Sequence, residues 1–424
     1  MENRTRFIIP FYFDTTNLDF DDLENRDQDH WELSKKDSQE SDLYEYITDS
    51  LLRKDYYTRF RDNILGAVYK YKGRRCSFRH EYYTDTENKE NKSDIGCAGI
   101  GLYLFASGIG FLWMELKIND NRIIVDFVNE FKEMVRSDSR ISTIVTKDID
   151  KDTVIPENYI FKNDKIYKVI DKTNYRGYYV REILNTLKCD ITFIPSRNTQ
   201  KGDLPDKAII FNHVKLDEKD FEETAYRLTR GYNRNYIISD SEYDNMMHPF
   251  GNVILFATGE GCGYYVKGGK EFVDGSKIMS DYFTLYILAL YQTYSLLRIS
   301  EKIASDMPTS PDMYDHFSKK IHGKLKMINT DLNVFMAKSI YSSVSFVQHQ
   351  NNFYNYIIKE LRIREDIESI SSGIVALRDM QTNLEKDVEE KRERIINGIL
   401  TFLAALGILQ SFSAILDIIS FFNK

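Results

Sequence analysis

The run "YRLTRGYNRNY" at 226–236 holds the residues best suited to chemistry: Arg227, Arg230 and Arg234, at i, i+3 and i+7, interleaved with Tyr226, Tyr232 and Tyr236. Guanidinium groups offer bidentate hydrogen bonds to phosphate, and tyrosine faces stack on a base. A second run, "RRCSFRHEYY", holds Arg74, Arg75 and Arg79 beside Tyr82. Together they make a candidate nucleotide site, Arg227, Arg230, Tyr232, Arg234 and Tyr236 with Arg74, Arg75 and Arg79. The alternative is a solvated basic face. Catalytic spacings are missing: there is no HExxH, no G-x-S-x-G, no phosphate loop and no Cys/His constellation. The chain therefore reads as a binding protein with no catalytic residues and no metal ligands, not an enzyme.

Each arginine run precedes a near-repeated phrase, "LFASGIG" at 104–110 and "LFATGEG" at 255–261. Strand-like residues flank both, and the glycines sit where a hairpin turn or bulge needs φ > 0. Residues 1–275 thus read as an α/β sensor domain. It is either two related halves with the arginine runs lining one cleft between them, or one domain that uses a common turn twice. "RFIIPFYF" reads as a first strand, and "DLYEYITDSLLRKDY" and "RIIVDFVNEFKEMVR" as helices.

From about Ser280 the pattern becomes helical, giving a connector over 276–345. Tyr282–Leu297 is uncharged, short for a membrane span and suited to a buried core helix. Positions 346 to 395 at alternating spacings of three and four are apolar or aromatic in eleven of fifteen cases. That seam predicts a coiled-coil stalk over 346–394, or a long helix packed within its own chain. Ile395–Phe422 then has 28 residues with one charge, Asp417. As a helix it is roughly 42 Å long, against a hydrocarbon core of about 30 Å. The expectation is a transmembrane segment over 395–422, spanning once or folded back at Gln410–Ser411, with the preceding domain cytoplasmic. Gln410, Ser413 and Asp417 share a face, with Leu403 and Leu406 along it. They either line a pore in an oligomer or place Asp417 at the far interface.

Composition narrows the partners. The 424 residues carry a net charge of −8, so a nucleic-acid backbone is disfavoured. Cys76, Cys97, Cys189 and Cys262 show neither zinc nor disulfide spacing, which favours a reducing compartment.

"KRERIINGILTFLAALGIL" at 391–409 resembles the start of the first membrane helix of CorA-type channels. "SDYFTLYILALYQTYSLL" resembles the helix ahead of the stalk in divergent CorA-like proteins of type III CRISPR antiviral systems. No Gly-Met-Asn motif follows the apolar run, although magnesium selectivity in those channels depends on it. The resemblance implies an α+β cytosolic domain, a helical region, a long coiled-coil stalk helix and a C-terminal transmembrane helix. It implies a homo-oligomeric effector or ion channel in the inner (plasma) membrane, its lipid bilayer disrupted or opened in antiviral defence. The implied ligand is a nucleotide second messenger, an adenylated S-adenosylmethionine (SAM-AMP-like), and the implied transported ion is Mg2+. Two further readings are a CorA-like divalent cation channel without a signalling role and a soluble coiled-coil scaffold.

Overall fold

The computed structural model describes residues 3–15, 30–33, 41–44, 46–48, 66–72, 76–83, 90–118, 121–134, 141–147, 159–162, 165–169, 175–194, 204–216, 220–232, 236–268, 273–306 and 311–422. The first strand, β1 (Arg4–Phe13), is apolar on both faces, and Phe7, Ile8, Ile9 and Phe11 are fully buried. Such a strand must be covered on both faces and flanked on both edges. Accordingly β6 (Ile109–Lys117) and β11 (Ile209–Leu216) pair with it antiparallel, one on each side. Pro10 is tolerated in this central position for a local reason. The β11 ladder stops at Ile8, and the short β10 (Ile191–Phe193) takes over only from Phe11. The Pro10 carbonyl accepts from Ile194 N (3.1 Å), and a residue's N–H and C=O point to the same side of a strand. The missing donor therefore falls in the gap between the two partners.

The remaining strands are β2 (Trp31–Leu33), β3 (Gly66–Tyr71), β4 (Cys76–Tyr83), β5 (Glu90–Phe105), β7 (Ile141–Lys147), β8 (Tyr159–Lys162), β9 (Lys165–Val169), β12 (Met247–Phe250), β13 (Val253–Thr258) and β14 (Gly261–Lys267). The main path runs β12-β13-β14-β11-β1-β6-β5-β4-β7-β9-β8. Among the described pairings only β11–β14 is parallel. A parallel neighbour needs a crossover, and α3 (Phe221–Arg230) and α4 (Asp240–Tyr243) lie within it.

Both Gly-x-Gly phrases close hairpins. Phe105↔Ile109 leaves a three-residue turn, 106–108, and Thr258↔Gly261 a two-residue turn, 259–260. Gly108 has φ 81°, which an L side chain adopts only with strain. The second glycine of each phrase meets a crowd: a Cβ on Gly110 would lie 2.3 Å from the Phe11 ring, and one on Gly261 2.2 Å from Thr229 O. The pairs Tyr12↔Ile109, Ile8↔Ile209 and Ile210↔Gly261 put both turns at the end of the sheet where β1 finishes. The expectation of two related halves does not follow. β6 is antiparallel to β1 while β14 is parallel to β11, and a duplicated unit would keep one sense.

Side-chain alternation builds the layers. Phe7 packs on Phe131 of α1 (Asn121–Lys132; ring centroids 4.2 Å), and α2 (Tyr175–Asn185) and α3 join the same core. The opposite face carries Phe105, Phe111, Trp113 and Phe211, which meet α5 (Phe283–Asp306) through Phe283, Tyr286, Tyr291 and Tyr294. The uncharged run at 282–297 is therefore buried over its first half because it covers a sheet. A helical turn, Gly275–Lys277, and a π-helical turn, Ile278–Tyr282, lead into α5. A fully hydrogen-bonded buried network ties α3 to the sheet: Asn212 accepts from Thr5 (2.8 Å) and donates to Leu228 O and Tyr265 (both 3.0 Å), and Thr229 pairs with Tyr265 (2.7 Å).

After α5 come α6 (Pro311–Ser339), α7 (Gln348–Glu360) and α8 (Ile363–Phe422). The chain forms two compact units, 1–295 with 338–364, and 296–337 with 365–424. Neither follows the expected boundaries at 275, 345 and 394. The expected continuous stalk over 346–394 is two helices, since Arg362 has φ 55° and breaks the path between α7 and α8. Its seam is also used within the chain. Ile374 is buried, and Ile370 and Leu377 line a cavity of about 480 Å³ with Ile303 and Ala304 of α5.

The expected transmembrane helix is corrected as well. Among the described residues no helix is long and apolar enough to cross a membrane. The apolar run is the continuation of the 60-residue α8, and its side chains are described only as far as Ala404. Ile395–Ala404 gives roughly 15 Å of helix, about half a hydrocarbon core. The membrane, inner-membrane and channel readings depended on that span and are not carried forward.

One buried histidine makes the fold pH-sensitive. His213 on β11 faces Tyr264, and burial, with the nearby Arg4 charge, lowers its pKa to about 4. The unfolded chain then binds the extra proton first, so stability is complete above about pH 6.5 and declines as pH falls toward 4. Between pH 6.5 and 5 the loss should be about 2 kcal/mol, read by denaturant titration. His213→Gln should flatten that slope; an unchanged slope would assign it to other groups.

Candidate functional site

The arginine run lies on and after α3. Glu222 and Glu223 occupy its first turn and Arg227 and Arg230 its last, the arrangement a helix dipole favours. The helix stops at Gly231, φ 63°, where a Cβ would lie 2.6 Å from the Lys132 side chain. Tyr232 N then returns to Arg227 O (3.0 Å).

The guanidinium groups are already paired. Arg227 is buried and binds Glu223 Oε1 (2.6 and 2.9 Å), with a further bond to Tyr236 O (2.9 Å). Arg230 meets Glu260 Oε2 (3.2 Å) and Glu242 Oε1 (3.6 Å), and donates to Tyr232 OH (2.9 Å). Its Cζ lies 4.9 Å from the Tyr232 ring centre and 5.6 Å from that of Tyr226, within cation–π range. Tyr226 donates to Glu242, which holds that carboxyl below its usual pKa, while burial raises the phenol. Lys132 of α1 completes the group, donating to Arg230 O (2.6 Å) and lying 3.5 Å from Glu260 Oε1. Burial lowers the Lys132 pKa, and Glu260 partly offsets it.

The described cluster thus sets three cations, Lys132, Arg227 and Arg230, against three carboxylates, Glu223, Glu242 and Glu260. A phosphate approaching Arg230 would have to displace two carboxylates. The aromatic faces and acids form a cage for a cation, and Arg230 fills it. The cluster joins α1, α3, α4 and the 259–260 turn, so it positions the second hairpin.

Tyr232 and Tyr236 lie together here, ring centroids 4.5 Å apart. Arg234, Arg74 and Arg75 lie outside the described residues, as does the side chain of Arg79. Arg79 belongs to β4, five strand positions from β14 along the sheet path. Of the proposed pore positions Leu403 is exposed, and the side chains of Leu406, Gln410, Ser413 and Asp417 lie outside the described residues. Among the described residues no group of three or more His, Cys, Asp or Glu could hold a metal.

Sequence reasoning missed the acids. Glu223 was findable, four residues before Arg227 on one helix face. Glu260, the middle residue of Gly-Glu-Gly, and Glu242 arrive through the tertiary fold. No protein-family model, curated protein or solved structure matches the chain. The likeness to CorA-type proteins therefore rests on the two sequence phrases alone.

Proposed function

We propose that the chain is a non-enzymatic, self-associating scaffold protein whose α8 joins a second copy. The observation that carries this reading is a stripe of exposed apolar side chains. Ile395, Ile396, Ile399, Leu400 and Leu403 are each 55–62% exposed. At 100° per residue they fall within an arc of about 140°, with Asn397, Gly398 and Thr401 on the other side. A soluble helix with such a stripe buries it against something.

A second α8 supplies the same stripe, and a two-fold axis lets one patch serve both partners. Fully burying a side chain of this type is worth about 1.5–3 kcal/mol, so five on each copy can exceed the cost of association. The earlier part of the seam is a poorer interface because Ile374 is already buried in its own unit. Light scattering on the full chain should give at least twice the 49.8 kDa of one chain. Ile399→Asp with Leu403→Asp should return the single-chain mass. A parent that is already monomeric, or a double variant with the parent's mass, would overturn the reading.

A further inference from the structure

Residues 41–44 and 46–48 of "SDLYEYIT" contact residues 277–281 and 341–346 of the first unit. Leu43 forms an isolated antiparallel bridge with Ser345, just over three hundred residues away. Tyr44 N donates to Val344 O (3.0 Å), Phe346 N to Asp42 O (3.2 Å) and Ser345 Oγ to Asp42 O (2.6 Å). Asp42–Tyr44, which fall in the stretch expected to be helical, thus pair in extended form with residues 344–346. Ile47 N and Thr48 N then return to Tyr44 O (3.0 and 3.2 Å) to open a helical turn at Tyr46–Thr48. Backbone pairing to an extended segment is one way that peptide-binding domains hold their ligands. Side-chain recognition accompanies it. Leu43 and Ile47 are buried, Tyr44 packs edge-on to Phe346 (4.3 Å between centroids), and Tyr46 meets Tyr341 (5.7 Å).

The anchor is Asp281, in the π-helical turn. Its carboxylate accepts from Ser41 Oγ (2.9 Å), Asp42 N (3.1 Å) and Gln350 Nε2 (3.4 Å). Lys277 pairs with Asp42 (2.6 Å). Asp281 is only 5% exposed, and burial raises its pKa. Seating the segment therefore dehydrates a charge, and the hydrogen bonds from Ser41 and Asp42 offset that cost. The aromatic edge stays wet, with Tyr46 and Phe346 both mostly exposed.

We propose that the surface formed by the 277–281 turn and residues 341–346 is a peptide-binding groove. Its ligand is the acidic-aromatic segment of this chain that is extended over Ser41–Tyr44 and helical at Tyr46–Thr48, and the same sequence supplied in trans can replace it. The proposal stands independently of the self-association of α8.

The test uses the full chain carrying Leu43→Glu and Ile47→Glu, which cannot seat its own segment. The probe is a fluorescein-labelled synthetic peptide of residues 39–50, read by anisotropy. Saturable binding to this variant is expected, with binding to the parent at least tenfold weaker because a tethered ligand competes at high effective concentration. Adding Asp281→Ala should weaken peptide binding at least tenfold, and a peptide carrying Leu43→Glu should not bind. A folded variant that takes no peptide at millimolar concentration overturns the proposal. If the variant does not fold, amide exchange of the parent decides. Exchange of the Tyr44 and Phe346 amides well ahead of the β1 amides supports an exchangeable segment, and exchange in step with β1 makes the segment integral and overturns it.

Discussion

Glu115→Ala should lower the stability of the first unit by about 3–5 kcal/mol, the largest effect expected of any single change described above. Arg6 and Glu115 are direct cross-strand partners on β1 and β6. The guanidinium binds Glu115 Oε2 through Nε (2.8 Å) and NH2 (2.7 Å), and its NH1 donates to Met279 O (2.6 Å). Trp113 and Phe283, set edge to face with each other, both lie against it, with ring centres 4.3 and 4.2 Å from Cζ. The two side chains are only 12% and 10% exposed. Removing the carboxylate leaves a charge among aromatic rings with one carbonyl for company. Replacing both partners, Arg6→Met with Glu115→Leu, should cost far less, since no buried charge remains. The measurement is urea unfolding followed by tryptophan fluorescence. Trp31 and Trp113 are the chain's two tryptophans, and both lie in the first unit, so the signal reports that unit alone. A loss below about 1 kcal/mol in Glu115→Ala would show that the pair is already hydrated.

The legible parts of this fold are those in which local pattern and tertiary demand agree. Unbroken apolar character marked β1, the glycine phrases marked two hairpins, and helical spacing marked α1. The same logic failed where identical patterns serve different ends. The seam over 346–394 looked continuous because no proline interrupts it, yet Arg362 turns the chain with a φ that its side chain does not advertise. The apolar end of α8 fits a membrane span and a protein interface equally well by composition. The arginine run was visible as charge, but its meaning depended on Glu242 and Glu260, which only the fold brings within reach. The Asp281 anchor was invisible for the same reason, since its partners lie some 240 residues upstream.

The glycines of the second phrase should separate sharply on substitution. Gly261→Ala should destabilise the first unit by about 3 kcal/mol, the upper end for overpacking a filled site, whereas Gly259→Ala should stay within about 0.5 kcal/mol. A Cβ on Gly261 would lie 2.2 Å from Thr229 O and 3.0 Å from Ile210 O, while one on Gly259 meets nothing within 4 Å. Two obstacles are backbone carbonyls, so no rotamer change relieves the clash. Either α3 lifts from the sheet or β14 slips from β11. Lifting α3 pulls Thr229 from Tyr265 and Arg230 from Glu260, so the buried network and the cation cage fail together. Gly110→Ala offers the contrast. Its obstacle is the Phe11 ring, a side chain that can shift, and the cost should be smaller than at Gly261. Equal losses at all three positions would mean that the turns themselves, and not the approach of α3, set the demand for glycine.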